Sequence, residues 1–405
     1  PFERATVLTL DHAGDFRCGV RWSAEGSHIQ PEKEWYFPDS FGRLYGAVTE
    51  LLGFQSRADE HKVQWLSASG DGRFVDLFRS ILANAPRIDT TYFDNGFTPA
   101  FHKKIGGAAG PLAAHIAHGL QVALEEAVLN LAGDGENLCV AGGMFLNAML
   151  VDALERSGRF QNVFVQAAAG NAGTALGAAW HAWHQGHGKS AARHLGQSSL
   201  LLGADYSAEE IKQVLENCKL PFRYQRSTDE MLATAVRMLG ENKIVAWMQG
   251  RMEFGPRALG NRSILASPLD PYSSENLNVY IKHREPFRKF AASVPAELAS
   301  HYFETGPNAR NLATVGRVRK EHEATFAEAT LGRDMIRVHT VDAHENPLFH
   351  RLLLEAGKVT GLPVLYNTSF NLFGDPLVSA PRDAVRSFYS SGIDALFVGN
   401  FLLEK

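Results

Sequence analysis

Arginine and glycine alternate along one segment whose composition favours a ligand-binding loop. Residues 247–263 read Trp-Met-Gln-Gly-Arg-Met-Glu-Phe-Gly-Pro-Arg-Ala-Leu-Gly-Asn-Arg-Ser and follow a short apolar run. Arginine guanidinium groups bind phosphate oxygens in a bidentate manner. A charged surface helix is the alternative, but the interspersed glycines and proline disfavour it. The segment therefore predicts an anion-binding loop.

A second basic cluster follows about one secondary-structure element later. It contains Lys282, Arg284 and Arg288 within residues 282–289. The two clusters together would suit a triphosphate or an acyl phosphate, although a solvated charged face is again the alternative. The clusters are notable because the chain as a whole carries a net charge of -4.

Two strand-glycine-helix units follow one another in the first half of the chain. Gly142 and Gly143 lie in the first unit, and Gly170 and Gly173 lie in the second. Such glycines let backbone N–H groups approach an anion at a helix N-terminus. Tight turns and close packing require the same residues. A phosphate cradle and a packing role are therefore weighted equally.

Polar residues follow two further apolar runs. Asp11 and Asp15 flank Gly14 and could bind a metal or a nucleotide, but Asp and Gly are also common in hairpin turns, which the sequence favours here. The second group of polar residues lies near the C-terminus, directly after an apolar run. Ligand contacts explain these residues as well as turn or N-cap roles do. These residues are Asn367, Thr368, Ser369 and Asn371.

Apolar strand-like runs alternate with helix-period segments along the chain, which predicts the α/β class. Around residues 186–203 this pattern gives way to Gly, Ser, Lys and His, the composition of a domain boundary. Strands are predicted at 7–10, 18–22, 138–141, 162–166, 244–248, 363–366 and 395–398, and helices at 115–131, 146–156 and 229–239.

The composition excludes several classes of protein. A chain of 405 residues with 45% hydrophobic and 21% charged residues is typical of a globular enzyme of more than one domain. No apolar run approaches the roughly 20 residues of a membrane helix and no signal peptide is evident, so we expect a cytoplasmic protein without a membrane partner. The net charge of -4 argues against a nucleic-acid partner. Cys18, Cys139 and Cys218 are expected to be reduced thiols.

Four strings of the sequence resemble one family, the ATP-dependent O-carbamoyltransferases of antibiotic tailoring and nodulation-factor synthesis. They are Ala-Gly-Gly-Met-Phe-Leu-Asn at 141–147, Gly-Asn-Ala-Gly-Thr-Ala-Leu-Gly at 170–177, the long arginine-glycine string at 249–263, and Asn-Thr-Ser-Phe-Asn at 367–371. The third string is long and highly specific. In order and spacing the resemblance covers nearly the whole chain.

The resemblance implies two domains with successive activities. Residues 1–190 would form an actin-like, sugar-kinase-like transfer domain that is N-terminally incomplete, and residues 200–405 would form a YrdC-like domain. The YrdC-like domain would convert carbamoyl phosphate and ATP to carbamoyl adenylate. The transfer domain would then pass the carbamoyl group to a hydroxyl or an amine of a small metabolite.

The resemblance also implies roles for individual residues. Arg257, Lys282, Arg284, Arg288 and Arg337 would be catalytic, since they would stabilise charge on the phosphates. ATP and Mg²⁺ would be required, and a transition metal such as Fe²⁺ would lie in the transfer domain, with Asp11 and Asn171 as metal ligands. The remaining matches would bind nucleotide or adenylate, namely Gly142, Gly143, Asn147, Gly170, Gly173, Asn261, Arg262, Ser263, Asn367, Thr368, Ser369 and Asn371.

The chain departs from the family pattern at several places, among them the segment of residues 64–67. The family's preceding segment, with a strand pair and a His-rich metal motif, is missing, so a companion segment or subunit is expected, and a homodimer is possible. Asn171 stands where the family has a metal-binding aspartate, and a neutral amide is a poorer ligand for a hard cation. Of the family motif near residues 330–337, only Thr330 and Arg337 match.

These departures leave three interpretations. The first is a divergent carbamoyltransferase that uses an acyl adenylate. The second is a catalytically altered or non-catalytic partner subunit that kept the fold and the nucleotide pocket. The third is an acyl-adenylate-dependent transferase with a different donor.

Overall fold

The polypeptide combines two β-sheets with flanking helices, which confirms the α/β class. The computed structural model describes residues 1–188, 199–332 and 334–405. The chain forms two units, the first of Pro1–Ser198 with Gly306–Asn308 and the second of Ser199–Thr305 with Ala309–Lys405. Most of the predicted boundary at 186–203, and the predicted domain end at residue 190, lie outside the described residues.

The first unit is built on a five-stranded mixed sheet with the strand order β3-β2-β1-β4-β5. Strand β1 is central because it pairs antiparallel with β2 and parallel with β4. Its Leu8 and Leu10 are buried, since alternate residues of a strand face the same side. The strands are β1 Arg4–Gly14, β2 Arg17–Glu25, β3 His28–Tyr36, β4 Gly135–Ala141 and β5 Phe160–Val165.

Helices precede and follow the parallel strands of this sheet. The longest, α5, packs against α2, α3 and α6. The described α-helices of the first unit are α1 Phe41–Leu51, α2 Glu60–Ser67, α3 Val75–Leu82, α4 Pro99–Ile105, α5 Ala113–Ala132, α6 Ala148–Arg156 and α7 Thr174–His187. Among the described helices of the whole chain, none is long and apolar enough to cross a membrane.

The turn between β1 and β2 corrects one prediction. Asp15 and Phe16 have positive φ angles of 53° and 62° and form the turn. The turn interpretation is therefore right for Asp15 and wrong for Asp11, which lies inside β1 where the pairing register shifts between Leu10 and Gly14.

Asn308 binds the short segment Gly306–Asn308 to the first unit through hydrogen bonds. Its side-chain oxygen accepts a hydrogen bond from the backbone N–H of Val165 at 3.1 Å. Its side-chain nitrogen donates to the Val163 carbonyl at 2.8 Å and to Glu155 Oε1 at 2.7 Å. Asn308 is only 2% exposed, so these bonds account for the buried amide and explain why Gly306–Asn308 belongs to the first unit.

The second unit is built on a ten-stranded sheet with the order β10-β11-β12-β9-β13-β8-β7-β14-β15-β6. Its central strands are buried on both faces: in β8, Ile264 packs into one apolar cluster and Leu265 into another. The strands are β6 Arg223–Tyr224, β7 Val245–Met248, β8 Arg262–Ala266, β9 Ala291–Pro295, β10 Phe303–Thr305, β11 Gly316–Val318, β12 Met335–Val341, β13 Leu365–Ser369, β14 Ala395–Val398 and β15 Phe401–Glu404.

Helices cover this second sheet, and α9 and α13 pack against each other. A π-helical turn, Leu277–Lys282, follows α10 directly. The described α-helices of the second unit are α8 Ala208–Asn217, α9 Thr228–Gly240, α10 Ser273–Asn276, α11 Ala299–Tyr302, α12 Glu323–Phe326, α13 Pro347–Thr360 and α14 Pro381–Tyr389.

Strand β13 extends further than the sequence predicted. The prediction ended it at residue 366, whereas the strand runs to Ser369 because β8 and β9 pair with it on its two sides. Asn367, Thr368 and Ser369 therefore lie within the strand and not after it. A polar residue in a central strand has no freedom to turn towards solvent, so its hydrogen bonds must come from neighbouring strands and loops.

Candidate functional site

Five cationic side chains of the second unit come from separate segments and share one electrostatic environment. Arg257 lies in the loop between β7 and β8, and Arg337 lies in β12. The remaining three precede β9, with Lys282 at the end of the π-helical turn. We call this group the cation cluster, and it comprises Arg257, Lys282, Arg284, Arg288 and Arg337.

Burial and mutual repulsion act on the cation cluster together. Burial, followed by the charges of Arg257, Arg284 and Arg288, holds the pKa of Arg337 well below its usual range. Burial and the charge of Arg288 lower the pKa of Arg284 to about 9, against the attraction of Glu285. Both causes disfavour the charged form. An anion bound among these groups would favour the charged form, so the cluster is suited to phosphate.

Lys282 is held by oxygen atoms at the end of β13. Its Nζ donates to the carbonyl oxygens of Ser369 at 2.5 Å and Asn371 at 2.9 Å, and to Asn371 Oδ1 at 2.7 Å. Burial and then the charges of Arg284 and Arg288 lower its pKa. These contacts fix the end of β13 relative to the π-helical turn, in addition to adding a positive charge beside it.

A buried glutamate organises the loop that carries Arg257. Glu253 is 4% exposed, and its Oε1 accepts hydrogen bonds from the backbone N–H groups of Leu259, Asn261 and Arg262 at 2.7, 2.8 and 3.0 Å. A carboxylate that accepts several backbone N–H groups fixes the loop around it. Glu253 was not predicted from the sequence, although it is the only acidic residue among the arginines of 247–263.

Arg262 and Asn261 are engaged with the same loop. The Arg262 guanidinium is fully buried and donates to the carbonyls of Gln249, Gly250, Asn261 and Ala204 at 2.8 to 3.1 Å. Asn261 Nδ2 donates to the Arg251 carbonyl, its Oδ1 accepts from Asn346, and Ser263 Oγ accepts from the N–H of Gly260. These contacts show that Arg262, Asn261 and Ser263 stabilise the loop, while their contact with an adenylate stays a prediction.

Asn367 joins a buried polar network on the same face of the sheet. Its Nδ2 donates to the Ala258 carbonyl at 3.3 Å and to Ser293 Oγ at 3.1 Å. Ser293 Oγ in turn lies 2.9 Å from His339 Nδ1. Burial lowers the pKa of His339 to about 3. Neither Ser293 nor His339 was predicted, because they lie far apart in the sequence and only the parallel pairing of β9 with β12 brings them together.

The predicted residues of the first unit line two cavities. One, of about 490 Å³, is lined by Asp11, Gly143, Asn147 and Asn171, together with further polar residues that include Glu60. The other, of about 420 Å³, is lined by Gly142, Gly170 and Gly173, and Asp11 and Asn171 contribute to it as well. The two strand-glycine-helix units thus lie around neighbouring cavities, where Asp11 and Asn171 are shared.

The glycines of the first unit serve packing to different degrees. Gly142 has a φ of 105°, and a Cβ at this position would lie 2.0 Å from the Leu10 carbonyl oxygen. A Cβ on Gly173 would lie 2.2 Å from the Ala168 carbonyl oxygen, whereas one on Gly143 would meet only Asp11 Oδ1, at 3.1 Å. Close packing alone therefore requires Gly142 and Gly173, while Gly143 remains available for a ligand.

Asn147 has a structural function at the start of α6. Its Oδ1 accepts from the N–H groups of Met149 and Leu150, which is the N-cap arrangement, and its Nδ2 donates to Gln121. Helix α6 accordingly begins at Ala148 and not at the predicted residue 146.

The metal prediction rests on two residues. Among the described residues, three or more His, Cys, Asp or Glu side chains are nowhere grouped in a way that could hold a metal ion. Asp11 and Asn171 share a cavity, but one carboxylate and one amide are a weak donor set for Fe²⁺. The described residues do not fit a transition-metal site.

Comparisons with known proteins agree on one family. The family model "Carbamoyltransferase N-terminus" matches residues 1–180, and "Carbamoyltransferase C-terminus" matches residues 236–405. The uncharacterized protein sll1178 of Synechocystis sp. is 34% identical and is matched over 100% of this chain and 73% of its own length.

Relatives with assigned names are similar to the chain as well. Nodulation protein NolNO of Sinorhizobium fredii is 33% identical over 100% of this chain and 61% of its own length. The 3'-hydroxymethylcephem-O-carbamoyltransferase of Streptomyces clavuligerus is 32% identical over 66% of this chain and 48% of its own length. The chain thus spans between about half and three quarters of the length of these relatives. Because both family models match the chain and these relatives are similar to it, the chain belongs to the carbamoyltransferase family.

Proposed function

We propose that the second unit activates a carbamoyl group as an adenylate. Carbamoyl phosphate would lose its phosphate to water, and an oxygen of the resulting carbamate would attack the α-phosphorus of ATP. The bond from that phosphorus to pyrophosphate would break, which yields carbamoyl adenylate. Phosphate and pyrophosphate are the other products, so atoms and charges balance.

The observation that carries this proposal is the cation cluster. Negative charge develops on pyrophosphate as it leaves, and arginine side chains that are already in position stabilise it without reorganisation. Arg337 in particular is buried among three other arginines that lower its pKa. In an otherwise acidic chain, such a concentration of cations is best explained by a ligand with several phosphates.

The first unit would transfer the activated carbamoyl group to an acceptor. Its larger cavity combines the carboxylates of Asp11 and Glu60 with the amides of Asn147 and Asn171. Such a lining suits a small molecule with hydroxyl or amino groups. Since the described residues do not fit a transition-metal site, no step of the transfer is assigned to a metal. Mg²⁺ would arrive with ATP, on its phosphates.

A second candidate function is that of a non-catalytic partner subunit. It is favoured by Asn171, which supplies an amide where a carboxylate would bind a cation better. In that case the protein would bind a nucleotide without turning it over.

The exchange of radiolabelled pyrophosphate into ATP tests the proposal. We expect exchange that depends on carbamoyl phosphate, and a loss of about 100-fold or more in Arg257→Ala. Arg237→Ala is the matched control, because Arg237 pairs with Glu241 on the exposed surface of α9. It should retain full exchange.

Three results would contradict the proposal. Full exchange by Arg257→Ala would remove the cation cluster from the reaction. Exchange supported by another carboxylate but not by carbamoyl phosphate would indicate a different donor. A folded protein that binds ATP and exchanges with no donor would indicate the partner subunit.

A further inference from the structure

We infer that Arg57 binds a carboxylate of the acceptor in the larger cavity of the first unit. The acceptor would then be a small carboxylic acid that also carries the hydroxyl or amino group to be carbamoylated. The inference rests on the proposed function and names the chemical class of the acceptor.

The backbone of Arg57 has a conformation that disfavours an arginine. Its φ angle is 66°, in the left-handed region that glycine adopts without strain and other residues adopt at a cost. The surrounding loop enforces this conformation, since the N–H of Arg57 donates to Glu60 Oε1. The N–H of Asp59 donates to the Gln55 carbonyl at 2.8 Å. Strain of this kind clusters at ligand-binding sites, so local stability does not explain why an arginine stands here.

The acidic side chains nearest to Arg57 in the sequence are engaged with other groups. Glu60 Oε1 accepts from the backbone N–H of Arg57 and not from its guanidinium. Asp59 accepts from the backbone N–H of Gln55 at 3.2 Å and lies 3.3 Å from Lys62 Nζ. Within the part of the chain that the structure describes, the Arg57 guanidinium forms neither a hydrogen bond nor an ion pair. Its five N–H donors are therefore available to a ligand.

Two observations place this guanidinium at the larger cavity. Arg57 lines the cavity together with His12, Asp11 and Glu60. Burial, and then the charges of Arg57 and Arg43, lower the pKa of His12, whereas the charges of Asp11 and Glu60 raise it. The guanidinium thus lies close enough to act on an imidazole of the cavity lining, and charges of both signs surround the same space.

Arg43 does not compete with Arg57 for a ligand. Its guanidinium donates to the side-chain oxygen and to the carbonyl of Asn95, both at 2.8 Å. It also lies over the ring of Phe37, at 4.7 Å from the ring centre. Of the two arginines that act on His12, Arg57 is therefore the one suited to bind an anion.

The charges of the cavity define what the ligand must carry. A guanidinium donates two parallel N–H bonds to a carboxylate. Asp11 and Glu60 can accept hydrogen bonds from a hydroxyl or an amino group. The cavity of about 490 Å³ has the size of a small-molecule site. A molecule that satisfies both sides carries a carboxylate at one end and a hydroxyl or amino group at the other.

The phosphate of carbamoyl adenylate is the other anion that could reach Arg57. A single arginine beside the carboxylates of Asp11 and Glu60 differs from the five cations that the second unit offers to phosphates. This arrangement favours the acceptor as the source of the anion.

Calorimetric titration of matched acids and amides tests the inference. The probes are glycerate and gluconate, each paired with its primary amide, which keeps the hydroxyl groups and lacks the negative charge. We expect the wild type to bind each acid about tenfold or more tightly than its amide, and Arg57→Gln to lose most of this preference. Arg4→Gln is the matched control and should retain it, because Arg4 pairs with Glu25 at the exposed start of β1.

The variant Arg57→Gly separates binding from structure. Glycine adopts the left-handed conformation without strain, so this variant should unfold at a temperature no lower than that of the wild type and still lose the preference for the acids. A lower unfolding temperature together with an unchanged preference would show that Arg57 serves only the loop, and the inference would be wrong.

The possible failures are distinguishable. Equal wild-type binding of acid and amide in both pairs, or binding of neither, would overturn the inference, and pyrophosphate exchange on the same samples would show whether the proposed function still holds. If Arg57→Gln weakens the binding of AMP but not of the acids, the arginine serves the adenylate phosphate and the inference is wrong. A preference for the acids without any exchange would overturn the proposed function and leave a carboxylate site in the first unit.

Discussion

Two buried arginines of the second unit have different electrostatic environments. The Arg262 guanidinium donates to four backbone carbonyls, which makes it part of the loop. Arg337 is repelled by three neighbouring arginines, and this repulsion adds to the effect of burial on its pKa. A phosphate would stabilise Arg337 far more than Arg262. Residue type alone could not separate them, since both are arginines near other basic or polar residues.

His339 allows a prediction of how stability depends on pH. Its pKa falls from the ordinary 6.5 to about 3 on folding, so between these values the unfolded state binds a proton that the folded state does not. The contribution of neutral His339 to the free energy of unfolding is therefore complete above about pH 6.5 and is lost as the pH falls below that value. Between about pH 7 and about pH 4, the free energy of unfolding measured in urea should fall less steeply in His339→Asn than in the wild type. The two slopes should differ by up to about 1.4 kcal/mol per pH unit.

The control for this measurement is the substitution of an exposed residue without a titratable group. Val359→Ala alters an exposed residue of α13 that does not titrate and should leave the decline of stability with pH as steep as in the wild type. Parallel stability curves for His339→Asn and the wild type would show that His339 becomes protonated in the folded protein. The neutral hydrogen-bond network described for Asn367 would then be wrong.

At the level of elements, the glycine loops of the first unit combine packing with access to a cavity. Gly142 lets the chain leave β4 close to the backbone of β1, because its φ is positive and a Cβ added to it would lie only 2.0 Å from the Leu10 carbonyl oxygen. Gly143 follows it and lines the larger cavity. From the sequence, ligand binding and close packing were equally good explanations of both glycines. In the structure these two adjacent residues have different roles.

Alanine substitutions should separate these roles. Gly142→Ala should lower the free energy of unfolding by about 3 kcal/mol or more, because it adds backbone strain to a steric overlap. Gly143→Ala should cost less than about 1 kcal/mol, since only the Asp11 carboxylate must move. Gly177→Ala in α7 is the control, and open space around it predicts a gain of about 0.5–1 kcal/mol.

Urea denaturation of the three variants checks this order. Equal stability of Gly142→Ala and Gly143→Ala would mean that the loop adapts freely. In that case the glycines would be better explained by ligand contact than by packing.

The sequence predicted more of the buried elements than of the exposed ones. Strands such as β7 and β14 are apolar and were predicted within a residue or two. Strand β3 was missed because only Trp35 of it is buried, so no alternation marks it. Asn367 was assigned to a loop because polarity was taken as the end of a strand. Ser293 and His339 could not have been found, since their contact depends on tertiary structure, whereas Glu253 contacts its own loop and was overlooked.

At the level of the whole molecule, charge is distributed unevenly. The chain has 40 Lys and Arg against 44 Asp and Glu, yet the second unit gathers five cations in one place. Self-repulsion of this kind lowers stability until an anion binds. The ligand-free second unit should therefore be less stable than its apolar core alone would make it.

Pyrophosphate should stabilise the second unit. At about 100 times its dissociation constant it would add about 2.7 kcal/mol, which corresponds to a rise of about 5 °C or more in the unfolding midpoint. Differential scanning calorimetry would measure the shift, with sodium chloride at equal ionic strength as the control. An equal shift in chloride, or an undiminished shift in Arg257→Ala, would show that the effect is general screening.

The attachment of Asn308 has a practical consequence for dissecting the protein. Because residues 306–308 return to the first unit, neither unit is a continuous stretch of chain. A fragment that stops before the second unit would lack the amide that satisfies the Val165 N–H and the Val163 carbonyl. Co-expression of separate halves, or a circularly permuted gene, would have to restore this tripeptide before the activity of either half could be judged.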